Sequence, residues 1–109
     1  MKLRFLESSQ PGLRWMLQYY RNNPQLNEAK AFASFAATER RICDLAPPKE
    51  TFEDFEDVWE VKIQNTAFSF LYTIRGQTAY VIDIRDQRGY RSAAALRVFE
   101  RELRRKYQD

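Results

Sequence analysis

The sequence predicts an α+β domain in which a helical hairpin packs on one face of a small antiparallel sheet, in the order β-α-α-β-β-β-α. Three observations carry that prediction. Two apolar stripes at helical spacing follow one another near the N-terminus, separated by "NNP" at 22–24. Three alternating apolar runs then succeed one another between Asp57 and Arg85, the last two joined by "RGQ". A last helical stripe follows them.

Each element has its own signal. "KLRFLE" at 2–7 alternates Leu3 and Phe5 with Lys2 and Arg4, the two-residue period of a strand. Ser8 or Ser9 is placed to cap a helix whose first turn holds Pro11 and whose stripe is Leu13, Met16, Leu17 and Tyr20. A second helix is expected over 25–46, its alanines allowing a close neighbour and Phe32, Phe35, Ile42 and Leu45 supplying bulk. The short link implies an antiparallel hairpin, and "PPKE" at 47–50 stops the second helix because proline cannot continue it.

"DVWEVKIQ" alternates Trp59, Val61 and Ile63 with Glu60, Lys62 and Gln64, and "AFSFLYTI" sets Phe68, Phe70, Tyr72 and Ile74 on one face. "TAYVIDIR" is expected to present Tyr80, Ile82 and Ile84 on one face, with Val81 and Asp83 on the other. Gly76 supplies the turn between these last two strands. Leu96, Phe99, Leu103 and Tyr107 form the final stripe, with Arg97, Arg101, Arg104 and Arg105 turned away from it.

At 109 residues the chain reads as one domain, 1–109, long enough to bury about two-thirds of its unfolded surface. A single cysteine excludes an internal disulfide framework and suits a reducing compartment. The interrupted apolar run of "MKLRFLESSQ" argues against a secretory signal, and no apolar stretch reaches the length of a membrane span. A soluble, cytoplasmic protein is the expectation.

Charge is unevenly spread. Glu50, Glu53, Asp54, Glu56, Asp57 and Glu60 stand together with no base among them, whereas 85–109 holds eight bases against four acids. Such a chain presents two faces of opposite sign. Arg85, Arg88 and Arg91 crowd the exit of the last strand around Tyr90. Three such charges repel one another unless water, Asp83, Asp86 or an acidic partner compensates them.

The chain has no histidine, which removes the usual acid/base at neutral pH and the commonest metal ligand. Cys43 therefore has no histidine to activate it, and reads as a structural cysteine of the second helix. No glycine-rich phosphate loop and no cluster with metal-ligand spacing occurs, so neither cofactor nor metal is expected. A nuclease built here would work without metal, stabilising charge on the phosphorane with Lys62, Arg85, Arg88, Tyr90 and Arg91.

"RWMLQYYRNNP", the alanine-rich second helix, the aromatic "TAFSFLYTI" and "VIDIRDQRGYRS" together resemble the RelE/ParE superfamily of bacterial toxins. The resemblance extends over nearly the whole chain in element order and is most specific over Phe68–Ser92. It implies a growth-inhibiting toxin of a type II toxin–antitoxin module, silenced by a cognate antitoxin. It also implies one of two targets: mRNA in the ribosome for RelE-like endonucleases, or DNA gyrase for ParE-like proteins. Arg88 and Arg91 fall where the nuclease branch has basic residues, but Ser69 and Ala95 stand where it has an arginine and a tyrosine. The departures favour the ParE-like reading, with Arg85, Arg88, Tyr90 and Arg91 as the surface for target or antitoxin. A RelE-like nuclease is the alternative. A non-toxic nucleic-acid-binding module is the second alternative, resting on the basic C-terminal quarter alone.

Overall fold

In the computed structural model, residues 1–88 are described. The expected final helix, with Leu96, Phe99, Leu103 and Tyr107, lies outside the described residues, as do Tyr90 and Arg91. Strand β1 (Lys2–Phe5) leads through a short 3-10 turn (Glu7–Ser9) into helix α1 (Gln10–Asn22). Helix α2 (Glu28–Asp44) and strands β2 (Trp59–Lys62), β3 (Phe68–Arg75) and β4 (Thr78–Asp86) follow in the predicted order. No helix among the described residues is long and apolar enough to cross a membrane.

The helices begin where local chemistry permits. Pro11 sits in the first turn of α1, where a missing N–H costs nothing. Ser9 precedes the helix, but its hydroxyl donates to the Leu6 carbonyl at 2.6 Å and caps nothing. Helix α2 starts three residues later than its pattern suggests, because the Asn27 side chain accepts from the Lys30 backbone N–H at 2.9 Å.

The strand order is β1-β4-β3-β2. Strands β2, β3 and β4 are antiparallel as predicted, and Gly76 adopts φ 60° in the two-residue turn between β3 and β4. β1 instead runs parallel to β4, from Lys2 opposite Thr78 to Phe5 opposite Val81, so the sheet is mixed. A parallel pair needs a long crossover, and everything from α1 to β3 provides it.

The pairing of β3 with β4 slips by one residue: Tyr72 faces Val81, but Leu71 faces Asp83. Ile82 is the extra residue of this bulge. The expected alternation of β4 is thereby broken. Ala79, Val81 and Ile84 join the main core with Phe68, Phe70, Tyr72, Met16, Tyr20 and Ile42, on the face covered by the helices. Ile82 packs on the opposite, back face with Leu71, Val58 and Phe52. Tyr80, opposite Thr73, is half-buried on that back face as well, not beside Ile84 as the sequence suggests.

The helix stripes turn slightly from their predicted positions. Leu13, Trp15, Met16, Tyr19 and Tyr20 are the α1 side chains in the main core. From α2, Phe35 lies 4.8 Å from the Phe70 ring, and Ala31 is nearly inaccessible, as its small size predicts. Leu45 falls beyond the end of α2 and is exposed. The acidic segment before β2 is more than a solvated face. It folds Phe52 and Val58 over the back of the sheet, held by the Phe52 N–H to the Val58 carbonyl at 2.7 Å.

Gly12 records how closely α1 approaches the sheet. A Cβ there would collide with the Ile84 carbonyl oxygen and with Asp83 Oδ1. Gly12→Ala is therefore expected to destabilise the fold by about 1–3 kcal/mol, although alanine is the better helix former. Phe70→Ala empties a fully buried site between α2 and the sheet and should cost about 3–5 kcal/mol. Denaturant unfolding of both variants checks the two values; a Gly12→Ala protein as stable as wild type would mean that α1 can move away from β4.

Candidate functional site

The bulge in β4 decides where each exit arginine goes. Cross-strand partners share a face. Lys62 is opposite Ser69, and Ser69 is opposite Arg85, so these three form one row on the back of the sheet. Asp86 is opposite Phe68 on the helix-covered face, and Arg88 follows it there. Arg85 and Arg88 are therefore separated by the sheet and do not form the single cluster expected from the sequence.

On the back face, Glu60 Oε2 accepts from Arg85 Nη1 and from the Ser69 hydroxyl, both at 2.6 Å. The Arg85 guanidinium lies over the Phe52 ring, 5.2 Å from its centroid. Ser69 is fully buried. Lys62 stands exposed at the end of the same row. Farther along the sheet, Asp57 Oδ2 accepts from Arg75 Nη2 at 2.8 Å, so Asp57 of the acidic segment and Glu60 of β2 each meet one arginine of the hairpin.

On the helix face, Asp86 is the centre. Its carboxylate accepts from Trp15 Nε1 at 2.8 Å, from the Arg88 backbone N–H at 3.0 Å, and from Arg88 Nε and Nη2 at 3.0 and 3.2 Å. Arg88 Nη1 donates to the Tyr19 hydroxyl at 3.1 Å, and the guanidinium sits 4.5 Å from the Tyr19 ring centroid. The Asp86 side chain is only 8% exposed, whereas that of Arg88 is 49% exposed. An acid is thus locked inside and its base is displayed outside.

Burial pushes the Asp86 carboxyl upward, but the donors from Arg88 and Trp15 more than offset it and hold the group below the usual carboxylate range. The same contacts raise Arg88, first through Asp86 and then through Tyr19. Beside them runs a groove of about 480 Å³ lined by Tyr19, Tyr20, Leu26, Asn27, Lys30, Ala31 and the turn before β3. Burial raises the Tyr20 phenol at its wall, the neighbouring Tyr19 adding to the rise and Arg88 opposing it.

The sequence picked out Arg88 and named Asp86 among the groups that could balance it, but not Trp15 or Tyr19. Trp15 and Tyr19 are one helical turn apart on α1, and Asp86 lies two residues before Arg88 at a strand end. Those spacings carried the signal. Glu60 is less legible, since its use depends on the register of three strands.

Asp86→Asn is expected to cost about 1.5–3 kcal/mol at neutral pH, the scale of hydrogen bonds to a charged group. A carboxyl depressed by folding stabilises above its unfolded pKa, and that contribution is lost as pH falls through the folded value. The gap between wild type and variant should therefore close in acid, below the ordinary carboxylate range. Unfolding curves of both proteins across that range check it; a constant gap would mean that Asp86 carries no charge in the fold.

A scan against protein-family models and a search of curated proteins find no match. Among solved structures, the chain is similar to a chain of the chromosomal ParDE TA system from P. aeruginosa, with a TM-score of 0.58 at 11% identity. The match covers 79% of this chain and 95% of that one. Element order over the described residues agrees with what the resemblance implies, and the chain has an α+β fold like that of the matched ParDE-system chain.

Proposed function

We propose that the chain is the growth-inhibiting toxin of a type II toxin–antitoxin module, silenced by a cognate antitoxin and acting in the ParE-like manner on DNA gyrase. The observation that carries the proposal is the shared fold with a chain of a ParDE TA system. The distribution of basic residues supports the choice of target. A metal-free ribonuclease needs several cationic groups converging on one phosphate. Here Lys62 and Arg85 lie on one face of the sheet and Arg88 on the other, and Glu60 already holds Arg85. Ser69, where a nuclease pattern has an arginine, is buried against Glu60.

The same arrangement weighs against a simple nucleic-acid binder. Phosphate tracking needs a continuous positive stripe. Among the described residues, Arg75, Arg85 and Arg88 are each matched by a carboxylate within 3.0 Å.

Induced expression is expected to stop growth, with DNA replication failing before translation. Purified protein should lower gyrase supercoiling or accumulate cleaved DNA complexes, and leave mRNA on translating ribosomes intact. Cleavage of mRNA in the decoding site that disappears in Arg88→Ala would overturn the gyrase reading in favour of a RelE-like nuclease.

A further inference from the structure

The pairing of Asp86 with Arg88 is unusual in what it leaves open. A guanidinium carries five N–H groups. Nε and one hydrogen of Nη2 go to Asp86, and one hydrogen of Nη1 goes to Tyr19. Each terminal nitrogen therefore keeps one N–H that no described residue takes up, on a side chain half exposed to solvent. The side chain is held at three points: Asp86 grips one edge, the Tyr19 ring supports the plane, and Trp15 anchors Asp86 from α1.

We propose that Asp86, braced by Trp15, is a positioning residue that presents the outer edge of Arg88 as a fixed receptor for a carboxylate on an acidic peptide segment. The inference rests on the reading above, in which the chain is held by a protein partner. The remaining N–H of Nη2 lies on the planar outer edge beside Nη1, away from Asp86, and that edge is where a carboxylate can be met. Because Asp86 balances the charge of Arg88, the site offers hydrogen-bond geometry with little net field. That suits one carboxylate on a peptide better than a run of phosphates, whose binding scales with the cations they meet. The adjoining groove supplies what a peptide needs beside an acid: apolar walls from Tyr20, Leu26 and Ala31, and a second cation in Lys30.

The opposing account makes Asp86 a competitor that merely neutralises Arg88, and the two differ in sign. Full-length protein is titrated with a hexaglutamate peptide at pH 7, following the Arg88 Nε–H and Trp15 indole N–H signals by NMR. In the wild type both signals should shift and saturate together. Arg88→Lys keeps the charge but loses the fork, and should weaken binding about tenfold. Asp86→Asn should weaken it several-fold despite making the protein more positive, because the fork loses its brace.

Trp15→Phe removes one donor to Asp86 and should weaken binding in the same direction, which keeps the test intact if Asp86→Asn fails to fold. Tighter binding by Asp86→Asn, or unchanged binding by Arg88→Lys, would overturn the proposal. So would inorganic phosphate or a single-stranded oligonucleotide of equal charge binding more tightly than the peptide. An absence of growth arrest in the wild type would refute the toxin reading alone, leaving this measurement standing.

Discussion

Between Leu71 and Tyr72 the pairing of β3 with β4 slips by one residue, and every later side chain of β4 changes face as a result. Without the extra residue, Arg85 would face the helices and Asp86 would face the back. Trp15 would then have no carboxylate to meet, and Glu60 no guanidinium. The slip also brings Ile84 into the main core while Ile82 fills the space over Phe52 and Val58. One local irregularity thus sets both the apolar division of the sheet and the charge pattern at its exit.

The charge pattern follows a consistent scheme. Each hairpin arginine meets a carboxylate from a different source: Arg75 from the acidic segment, Arg85 from the edge strand, Arg88 from its own strand end. The first two pairs are about a quarter exposed on both sides, where such contacts contribute about 1 kcal/mol or less. Their effect is on orientation and field more than on stability. The third differs because its acid is buried and has donors from two directions, so removal of Arg88 leaves a buried carboxylate short of donors, whereas Arg88, half exposed, keeps water if Asp86 is removed.

Much of this architecture is legible in the residues themselves. The helical stripes of α1 and α2, the turn at Gly76, the strand alternation of β2 and β3 and the stop at "PPKE" are local signals, and each gives the observed element. The parallel placement of β1 is not local, since "KLRFLE" alternates identically whichever neighbour it joins. Nor is the bulge: "TAYVIDIR" looks regular, and only pairing with β3 reveals the extra residue. The candidate site inherits that blind spot. Arg85 and Arg88 stand three apart, a spacing that reads as one cluster until the strand and its exit are placed. Phe52 and Phe55 sit among acids, so hydropathy averaged over the segment hides their role beneath the sheet.

The parallel pairing of β1 with β4 has a consequence for the order in which the chain can be assembled. Lys2 is hydrogen-bonded to Gln77, and Leu6 to Val81, across more than two-thirds of the sequence. During synthesis the first strand leaves the ribosome with no neighbour to join, while α1 and α2 can already form their hairpin. Strand β4, one of the two central strands of the sheet, is the last of the four to be made, and the contacts it closes with β1 have the greatest loop-closure cost. Gly12, Trp15 and Tyr19 likewise find their partners only then. The Arg88 arrangement therefore cannot exist before β4 has been made and has joined the sheet, which ties the display of that side chain to closure of the sheet.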